Sequence, residues 1–435
     1  MKVYLETYGC QMNFSDSELV GGLLTREGME MAEGPDGADA ILLNTCAVRE
    51  HAEERIYRRL RELRARKRKA KGLRIGVLGC LAQSLKKDLL EHSDAVDFIV
   101  GPDAYRSLPG LLREGSGSRQ ATTLSRTETY TDIPHLRPSG VNAWVTVMRG
   151  CDNFCTFCVV PFTRGRERSR AVEAVVAETR ALAEEGFRQV TLLGQNVNSY
   201  RHGEAGFAEL MREVCRVDGI ERVRFTSPHP KDFPDALLRV LAEEPTAMPH
   251  VHLPLQSGSD RVLERMDRNY TRAEFLRLVE RIRKTVPGVA LTTDLIAGFP
   301  GETVEDFERT VAAMKEIRFH SAFTFPYSER KNTAASRRFP DDVPAETKSE
   351  RVGLLVRAER EVSREILGGL VGSEVEVLVE GRSKKTPAEG FGRTPQGTGV
   401  VFPAGDSSPR DLLRVRVTEA TTHTLISRPG SPSGV

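Results

Sequence analysis

Residues 150–161 read GCDNFCTFCVVP and lie one residue beyond AWVTVM, a short apolar run typical of a β-strand. The cysteines of this stretch, spaced Cys-x3-Cys-x2-Cys, are Cys151, Cys155 and Cys158. Three thiolates on one loop can ligate three irons of a 4Fe–4S cluster, which usually takes four cysteines, so one iron would stay open to a small ligand. Zinc is the competing metal, because it also takes cysteine ligands. A helix with a buried cysteine face would have the same spacing, but Asp152, Asn153 and Pro161 disfavour it.

The segment that follows predicts an incomplete barrel of alternating strands and helices. Six apolar runs, AWVTVM, QVTLLG, RVRFTS, HVHLPL, VALTTDLIAG and HSAFTFPY, are separated by helical patterns such as AVEAVVAETRALAEEG. Six units favour a partial TIM-like (β/α)6 barrel over a closed eightfold one. In such barrels the chemistry takes place at the carboxyl ends of the strands, where the cysteine loop lies.

The first hundred residues predict an α/β domain with a parallel sheet, because short apolar runs alternate with helical patterns. Cys10, Cys46 and Cys80 each follow the end of one predicted strand. Functional sites assemble at that edge of an open parallel sheet, so the three cysteines are expected to meet there. The alternative is three ordinary buried cysteines. Cys215, within the amphipathic run FAELMREVC, is expected to be a core residue.

Composition shifts divide the rest of the chain. Residues 116–140 are poor in large apolar side chains and predict a linker between an α/β domain at 1–115 and the barrel at 141–368. Residues 369–432 carry short alternating runs such as SEVEVLVEG and TGVVFPAG, with Gly and Pro between them. This pattern predicts a small, OB-like β-barrel.

Bulk properties narrow the class of protein. A chain of 435 residues with 39% hydrophobic and 29% charged residues has the balance of a globular protein, and a net charge of +2 does not by itself demand a nucleic-acid partner. No apolar run approaches the roughly 18 residues of a membrane span, and the start lacks the apolar segment of a signal peptide. Seven cysteines, an odd number, argue against a disulfide framework. We therefore expect a cytoplasmic protein with no membrane contact, acting as a monomer.

The combination of two cysteine triads with a β-barrel tail resembles the methylthiotransferases of the radical SAM superfamily, and the match covers essentially the whole chain. The motifs that carry it are TYGCQMNFSDSE, LLNTCAVRE, GVLGCLAQ and CDNFCTFCVVPFTRGRERSR, while EGRSKKTPAEGFGRT and TGVVF resemble a TRAM domain. The resemblance implies two [4Fe-4S] clusters, one on each triad. The cluster on the barrel loop would generate a radical from S-adenosyl-L-methionine. The auxiliary cluster on Cys10, Cys46 and Cys80 would carry the sulfur, and a second S-adenosylmethionine would supply its methyl group.

The resemblance also implies which residues bind S-adenosylmethionine. The segment GQN at 194–196 follows the second barrel strand, and LIAGFPGET is similar to the segment that lines the adenine in this superfamily. The candidates are Phe157, Gln195, Asn196, Ser227, Gln256, Ile296 and Gly298.

Three branches of the family differ in substrate: isopentenyl-adenosine in tRNA, threonylcarbamoyl-adenosine in tRNA, or an aspartate of a ribosomal protein. The motif YGCQMN at 8–13 resembles the isopentenyl branch, whereas the others tend towards Gly-Cys-Lys at that point. The implied reaction is methylthiolation of carbon 2 of N6-isopentenyladenosine at tRNA position 37. The implied partners are the tRNA anticodon stem-loop, an electron donor such as flavodoxin or ferredoxin, and iron–sulfur assembly or carrier proteins. A non-enzymatic iron–sulfur RNA-binding protein is the remaining alternative.

Local charge is consistent with an RNA partner. Between Arg55 and Arg74 eleven residues are basic and only Glu62 is acidic, which indicates either a solvated helix face or a phosphate-contacting one. The run RGRERSR after the cysteine loop could steer RNA, or could only stabilise the loop through Glu167. The expected RNA-contacting residues are Arg164, Arg166, Arg168, Arg170, Lys384 and Lys385.

Overall fold

A computed structural model describes residues 1–47, 50–70, 72–91, 93–114 and 119–428. The first domain is a six-stranded, fully parallel sheet in the order β2-β1-β3-β4-β5-β6. Its strands are β1 (Lys2–Tyr8), β2 (Glu30–Met31), β3 (Ala40–Thr45), β4 (Arg74–Gly79), β5 (Phe98–Val100) and β6 (Gln120–Ala121). Its helices are α1 (Gln11–Arg26), α2 (Glu50–Lys69), α3 (Cys80–Leu85), α4 (Lys87–Glu91) and α5 (Leu108–Glu114).

The central strand β3 shows why this sheet lies between two layers. All six of its residues are buried, and alternate side chains enter different cores. Ala40 and Leu42 join the core beneath α1, whereas Ile41 and Leu43 join the core beneath α2. The apolar face of α2 supplies this second core through Ile56, Leu60 and Leu63, which recur at helical spacing.

The expected linker is less extended than its composition suggested. Residues 120–121 pair with β5 as the edge strand β6, and Tyr130 and Ile133 are buried in the core beneath α1. The few apolar side chains of this segment therefore fasten most of it to the first domain.

The second domain contains the six predicted barrel strands, all parallel. They are β7 (Asn142–Thr146), β10 (Gln189–Leu193), β13 (Arg222–Phe225), β14 (His250–His252), β15 (Ala290–Ala297) and β16 (Ser321–Pro326). Two three-stranded sheets, β7-β10-β13 and β14-β15-β16, are connected by a bridge between Val223 and Ala247. The strands thus follow one another in chain order as an incomplete barrel, which confirms the expected fold class.

The remaining elements of this domain cover the strands or line their ends. The helices are α6 (Val160–Arg164), α7 (Val172–Glu184), α8 (Phe207–Cys215), α9 (Asp235–Glu243), α10 (Asp260–Arg265), α11 (Arg272–Thr285), α12 (Val304–Ile317), α13 (Ala334–Arg338) and α14 (Ala345–Gly368). The short strands are β8 (Met148–Arg149), β9 (Arg168–Ser169), β11 (Arg201–His202) and β12 (Ala205–Gly206). Cys215 is buried in the barrel core, as predicted.

The tail forms a six-stranded sheet in the order β20-β17-β18-β19-β22-β21. Its strands are β17 (Glu374–Arg382), β18 (Glu389–Arg393), β19 (Gly399–Pro403), β20 (Leu412–Arg416), β21 (Glu419–Ala420) and β22 (Thr424–Ile426). Arg222 of β13 fastens it to the barrel, because its guanidinium donates to the Glu376 carboxylate at 2.9 Å and to the Arg393 carbonyl at 2.6 Å. No helix within the described ranges is both long enough and apolar enough to cross a membrane.

Candidate functional site

The barrel loop with Cys151, Cys155 and Cys158 is held by backbone contacts. Gly150 has a φ of +83°, and a Cβ there would lie 2.0 Å from the Arg166 carbonyl oxygen, so only glycine fits. The Thr156 amide donates to the Met266 carbonyl at 3.0 Å, which fixes the middle of the loop against the end of α10. The three cysteines are thereby presented on one ordered turn at the carboxyl end of β7.

The thiols of this loop are largely buried, and burial disfavours their free thiolate form. Burial raises the pKa of Cys151 to about 12, and burial together with the neighbouring Cys155 raises the pKa of Cys158 to about 12. A coordinated metal reverses this preference, because it removes the thiol proton outright. The guanidinium of Arg268, which is itself buried, donates to Cys155 Sγ at 3.4 Å and adds a compensating positive charge. The donor set therefore fits the expected cluster.

The second triad lies at one edge of the first sheet. Tyr8 pairs with Thr45, and Thr45 pairs with Gly79, so the three neighbouring strands end at the same level. The residues that follow these ends are Cys10, Cys46 and Cys80, which begin α1, follow β3 and begin α3 respectively. All three therefore lie at the edge of the sheet at which the sequence predicts them, and their convergence on a common cluster stays a prediction.

Direct contacts connect members of this triad. A hydrogen bond from Cys46 lowers the pKa of Cys10 to about 6, against the opposing effect of burial. The Asn13 side chain organises the turn, since its Nδ2 donates to the Thr45 carbonyl and its Oδ1 accepts from the Cys10 thiol. Burial raises the pKa of Cys80, although Arg164 acts in the opposite direction. Among the described His, Cys, Asp and Glu side chains, no three converge closely enough to chelate a single metal ion.

The two triads are neighbours in space. Helix α6 begins two residues after Cys158 and packs against α3, which begins at Cys80. Val159, adjacent to Cys158, is buried together with Cys80 and Ala47. Helix α1 adds a second contact between the domains, because Ser15 is hydrogen-bonded to Thr146 of β7 at 2.9 Å and Phe14 packs on Trp144.

The expected S-adenosylmethionine residues lie at the ends of successive barrel strands. Gln195 Oε1 accepts from the amide of Gly150 at 2.5 Å, which connects the end of β10 to the cysteine loop. Its Nε2 and the Oδ1 of Asn196 are buried without a hydrogen-bond partner in the described part of the chain. Buried polar atoms of this kind normally find a partner, so both atoms are available to a polar ligand. A cavity of about 450 Å³ adjoins Asn196 and is also lined by Glu167 and Asp152 among others.

The other candidates differ in their surroundings. Ser227 and Gln256 have φ values of +59° and +67°, unusual for residues with side chains and typical of strained functional positions. Phe157 and Ile296 are half-buried against one apolar cluster that contains Met266. The structure thus brings Phe157 and Ile296 together beside the cysteine loop.

Gly298 is explained without a ligand. With a φ of +74°, it lies so close to Lys348 that a Cβ would come within 2.4 Å of the Lys348 Cγ. This close approach by α14 is sufficient reason for a glycine there.

Three of the expected RNA contacts need correction. Arg164, Arg168 and Arg170 are buried, and each guanidinium is paired with a carboxylate, of Asp16, Asp103 and Glu178 respectively. A guanidinium held inside the protein in this way does not reach a phosphate outside it, so these residues fasten the loop instead. The alternative considered for this run, loop stabilisation through Glu167, is present as well, since Glu167 accepts from the Asp152 amide at 3.3 Å.

Arg166, Lys384 and Lys385 remain exposed. The Arg166 side chain is 61% exposed, and its guanidinium lies 4.9 Å from the ring centroid of Phe154. On α2 the basic run is partly neutralised, because Arg59, Arg64 and Lys67 pair with carboxylates of Glu6, Asp94 and Asp97.

Sequence reasoning missed three buried charged residues around the triads: Asp16, Arg149 and Arg268. Asp16 accepts from both Arg149 and Arg164 at 2.7 Å. Asp16 lies within a quoted motif, FSDSE, but nothing local marks its partners, which are 133 and 148 residues away in the chain.

Three family models match separate parts of the chain. Residues 2–101 match an uncharacterized protein family designated UPF0004, residues 145–314 match the radical SAM superfamily, and residues 369–429 match the TRAM domain.

Full-length relatives agree with this arrangement. A protein of Prosthecochloris aestuarii named tRNA-2-methylthio-N(6)-dimethylallyladenosine synthase is 47% identical over 435 residues, covering 99% of each chain. The protein of the same name from Chlorobaculum tepidum is 48% identical, covering 97% of this chain and 96% of its own.

Solved structures support the fold alone. The radical S-adenosylmethionine methyltransferase TsrM of Kitasatospora setae aligns with a TM-score of 0.60 at 16% identity, covering 77% of this chain and 74% of its own. The cobalamin-dependent S-adenosylmethionine radical enzyme OxsB aligns with a TM-score of 0.52 at 14% identity, covering 84% of this chain and 56% of its own. With two cysteine triads side by side, the three matched domains and near-half identity over the full length, the chain belongs to the radical SAM methylthiotransferase family whose members are named tRNA-2-methylthio-N(6)-dimethylallyladenosine synthase.

Proposed function

We propose that this protein is a tRNA methylthiotransferase that converts N6-isopentenyladenosine at tRNA position 37 to its 2-methylthio derivative. The observation that carries the proposal is the proximity of the two triads, since Val159, the neighbour of Cys158, is buried together with Cys80. Radical formation and sulfur insertion require two sites that share one substrate. Two triads on adjoining elements provide such an arrangement.

In this proposal each triad holds one [4Fe-4S] cluster. When bound, the barrel cluster supplies the electron that cleaves S-adenosyl-L-methionine to a carbon radical, and the auxiliary cluster supplies the sulfur. The radical would take the hydrogen from carbon 2 of the adenine and leave as 5′-deoxyadenosine, and that carbon would bond to the sulfur while the auxiliary cluster takes up the remaining electron. The methyl group of a second S-adenosylmethionine completes the product. Flavodoxin or ferredoxin is the proposed electron donor, and iron–sulfur carrier proteins the proposed source of the clusters.

The protein's own residues bind, orient and shield in this scheme. Gln195 and Asn196 offer buried polar atoms to the methionine end of S-adenosylmethionine, next to the polar cavity. Phe157 and Ile296 provide an apolar wall suited to its adenine. Ser227 and Gln256 follow two further barrel strands and are proposed to contact the same molecule. Gly298 allows α14 to pack closely.

The proposed RNA contact lies beside the barrel loop. Phe154 and Phe162 are each 38% exposed, with ring centroids 6.3 Å apart, and Arg166 covers the ring of Phe154. Exposed aromatic rings can stack on unpaired bases, and a neighbouring guanidinium can neutralise the phosphates of those nucleotides. The target base has to leave the RNA loop to expose carbon 2. A stacking surface beside the site can then hold the bases next to the target base. Lys384 and Lys385 of the TRAM domain would contact the backbone further away.

The substrate is tested by mass spectrometry of nucleosides from tRNA of a strain lacking the gene. We expect the 2-methylthio-isopentenyl nucleoside to disappear and its unmodified precursor to accumulate. Loss of a threonylcarbamoyl derivative instead, or an unmodified aspartate in a ribosomal protein with unchanged tRNA, would assign the chain to another branch of the family.

The division of labour is tested with the variant Cys10→Ala/Cys46→Ala/Cys80→Ala, reconstituted anaerobically. We expect loss of about half the iron and sulfide, continued formation of 5′-deoxyadenosine with dithionite, and no sulfur insertion, because the barrel triad is untouched. The matched variant Cys151→Ala/Cys155→Ala/Cys158→Ala is expected to retain the other half of the iron and to form no 5′-deoxyadenosine. If wild-type protein also formed none, a non-enzymatic RNA-binding role would replace the proposal.

We further propose that the protein works as a monomer in the cytoplasm, where tRNA is modified.

A further inference from the structure

A buried arginine next to the auxiliary triad is not explained by fold stability alone. Arg164 closes α6, six residues after Cys158, and its side chain is 3% exposed. Its Nε donates to Cys80 Sγ at 3.2 Å, while its Nη2 donates to Asp16 Oδ2 at 2.7 Å. One guanidinium thus connects a cysteine of the first domain, a carboxylate of α1 and the loop that carries the barrel triad.

The guanidinium groups around Arg164 outnumber the carboxylate they share. The Asp16 carboxylate is shared by two guanidinium groups, since Arg149 also donates to it at 2.7 Å. The nearby pair of Arg168 and Asp103 is balanced one to one. Two buried cations against one carboxylate leave one positive charge in excess, and the neighbouring groups that can compensate it as anions are the thiols of the auxiliary triad.

The two guanidinium groups also have hydrogen-bond donors that no protein group uses. Nη1 of Arg164 and both Nε and Nη1 of Arg149 are buried without a hydrogen-bond partner within the described ranges, although the Arg149 guanidinium lies over the ring of Tyr130. A [4Fe-4S] cluster held by three thiolates is an anion rich in sulfur acceptors, and hydrogen bonds to such sulfurs set its reduction potential.

We propose that Arg164 is a positioning residue that supplies the counter-charge and a sulfur hydrogen bond to the auxiliary cluster, and so raises its reduction potential. The proposal rests on the proposed function, because it requires a cluster on Cys10, Cys46 and Cys80. Arg268 has a parallel position at the barrel triad, where it donates to Cys155 Sγ. Each triad thus has one buried arginine donating to one of its sulfurs.

The test uses the full-length chain with Cys151→Ala/Cys155→Ala/Cys158→Ala, so that only the auxiliary cluster is reconstituted. In this background, Arg164→Gln removes the charge and the contact, and Arg164→Lys keeps the charge. Arg168→Gln is the matched control, because Arg168 is equally buried on the same loop but contacts Asp103 instead of a cysteine. Iron content and an EPR-monitored reduction titration are measured for each.

Removing a positive charge disfavours the more negative, reduced cluster. For Arg164→Gln we expect normal iron content and at least a tenfold higher oxidised-to-reduced ratio at a fixed potential, equivalent to about 59 mV for a one-electron couple. Arg164→Lys should recover most of this shift, and Arg168→Gln, which removes a charge that does not contact a triad sulfur, should show a clearly smaller one. Equal potentials in the background protein and Arg164→Gln, or equal shifts in Arg164→Gln and Arg168→Gln, would overturn the role of Arg164.

A second measurement needs no Arg164 variant. The same cysteine background is prepared with 15N-labelled arginine, and we expect a hyperfine coupling from guanidinium nitrogen in the EPR spectrum of the reduced cluster. An iron-loaded sample without that coupling would overturn the sulfur contact even if Arg164→Gln failed to fold. A background protein that takes up no iron would instead refute the auxiliary cluster, and with it the proposed function.

Discussion

Replacing Asp16 by Asn keeps the shape of the side chain and removes the carboxylate that Arg149 and Arg164 share. Asp16 is 0% exposed and accepts hydrogen bonds from both guanidinium groups and from Tyr105. Burial by itself raises the pKa of Asp16, but the two arginines outweigh it and hold the pKa below its ordinary value. Removing one partner of a buried ion pair costs about 3–5 kcal/mol, because the remaining charge stays buried without compensation. We expect Asp16→Asn to lower the free energy of unfolding by that amount.

The assay is urea unfolding of the cluster-free chain, followed by fluorescence of Trp144, the sole tryptophan. Its ring centroid lies 5.5 Å from that of Phe14 on α1, so it reports on the contact between the two domains. With an m-value of about 3 kcal/mol per M, the midpoint should fall by about 1 M or more. The control is Asp152→Asn, which breaks a largely exposed pair with Arg166 and should change stability by less than about 1 kcal/mol. A loss in Asp16→Asn no greater than in this control would refute the reasoning.

Three further predictions concern the loop, an ion-pair network and the core. Gly150→Ala should abolish 5′-deoxyadenosine formation and iron binding at the barrel triad while the auxiliary iron stays, because the new Cβ would lie 2.0 Å from the Arg166 carbonyl; full activity would contradict it. Burial alone would raise the pKa of Glu178, but Arg170 and its neighbours lower it to about 2, so its stabilisation is present above about pH 4.5 and is lost as the pH falls towards 2. Glu178→Gln should therefore lower the unfolding free energy by about 3 kcal/mol at pH 7, and a difference from wild type that does not shrink below pH 4.5 in urea titrations would refute this. Leu43→Ala should cost about 2–5 kcal/mol in the same titrations, since Leu43 is fully buried; a change below about 1 kcal/mol would contradict it.

Local patterns in the sequence determined the elements of this protein. The six barrel strands and the buried strands of the first sheet were predictable because apolar runs bounded by turn residues are short-range signals. The positions of all six candidate cysteines were predictable for a related reason. Three share one short loop, and the other three follow strands that a parallel sheet must end at one edge.

Only the tertiary structure decided which side chains meet between the domains. From the sequence, Arg164, Arg168 and Arg170 form a basic run of the kind that contacts RNA, yet folding buries them against carboxylates. A charge pattern shows how many charges a segment carries but not which of them find partners far away in the chain. The contact between Asp16 and Arg164 joins residues 148 positions apart, so no periodicity could predict it. The physical reason is that burial and ion pairing depend on how the two domains pack, whereas strands and cysteine spacing depend on neighbouring residues.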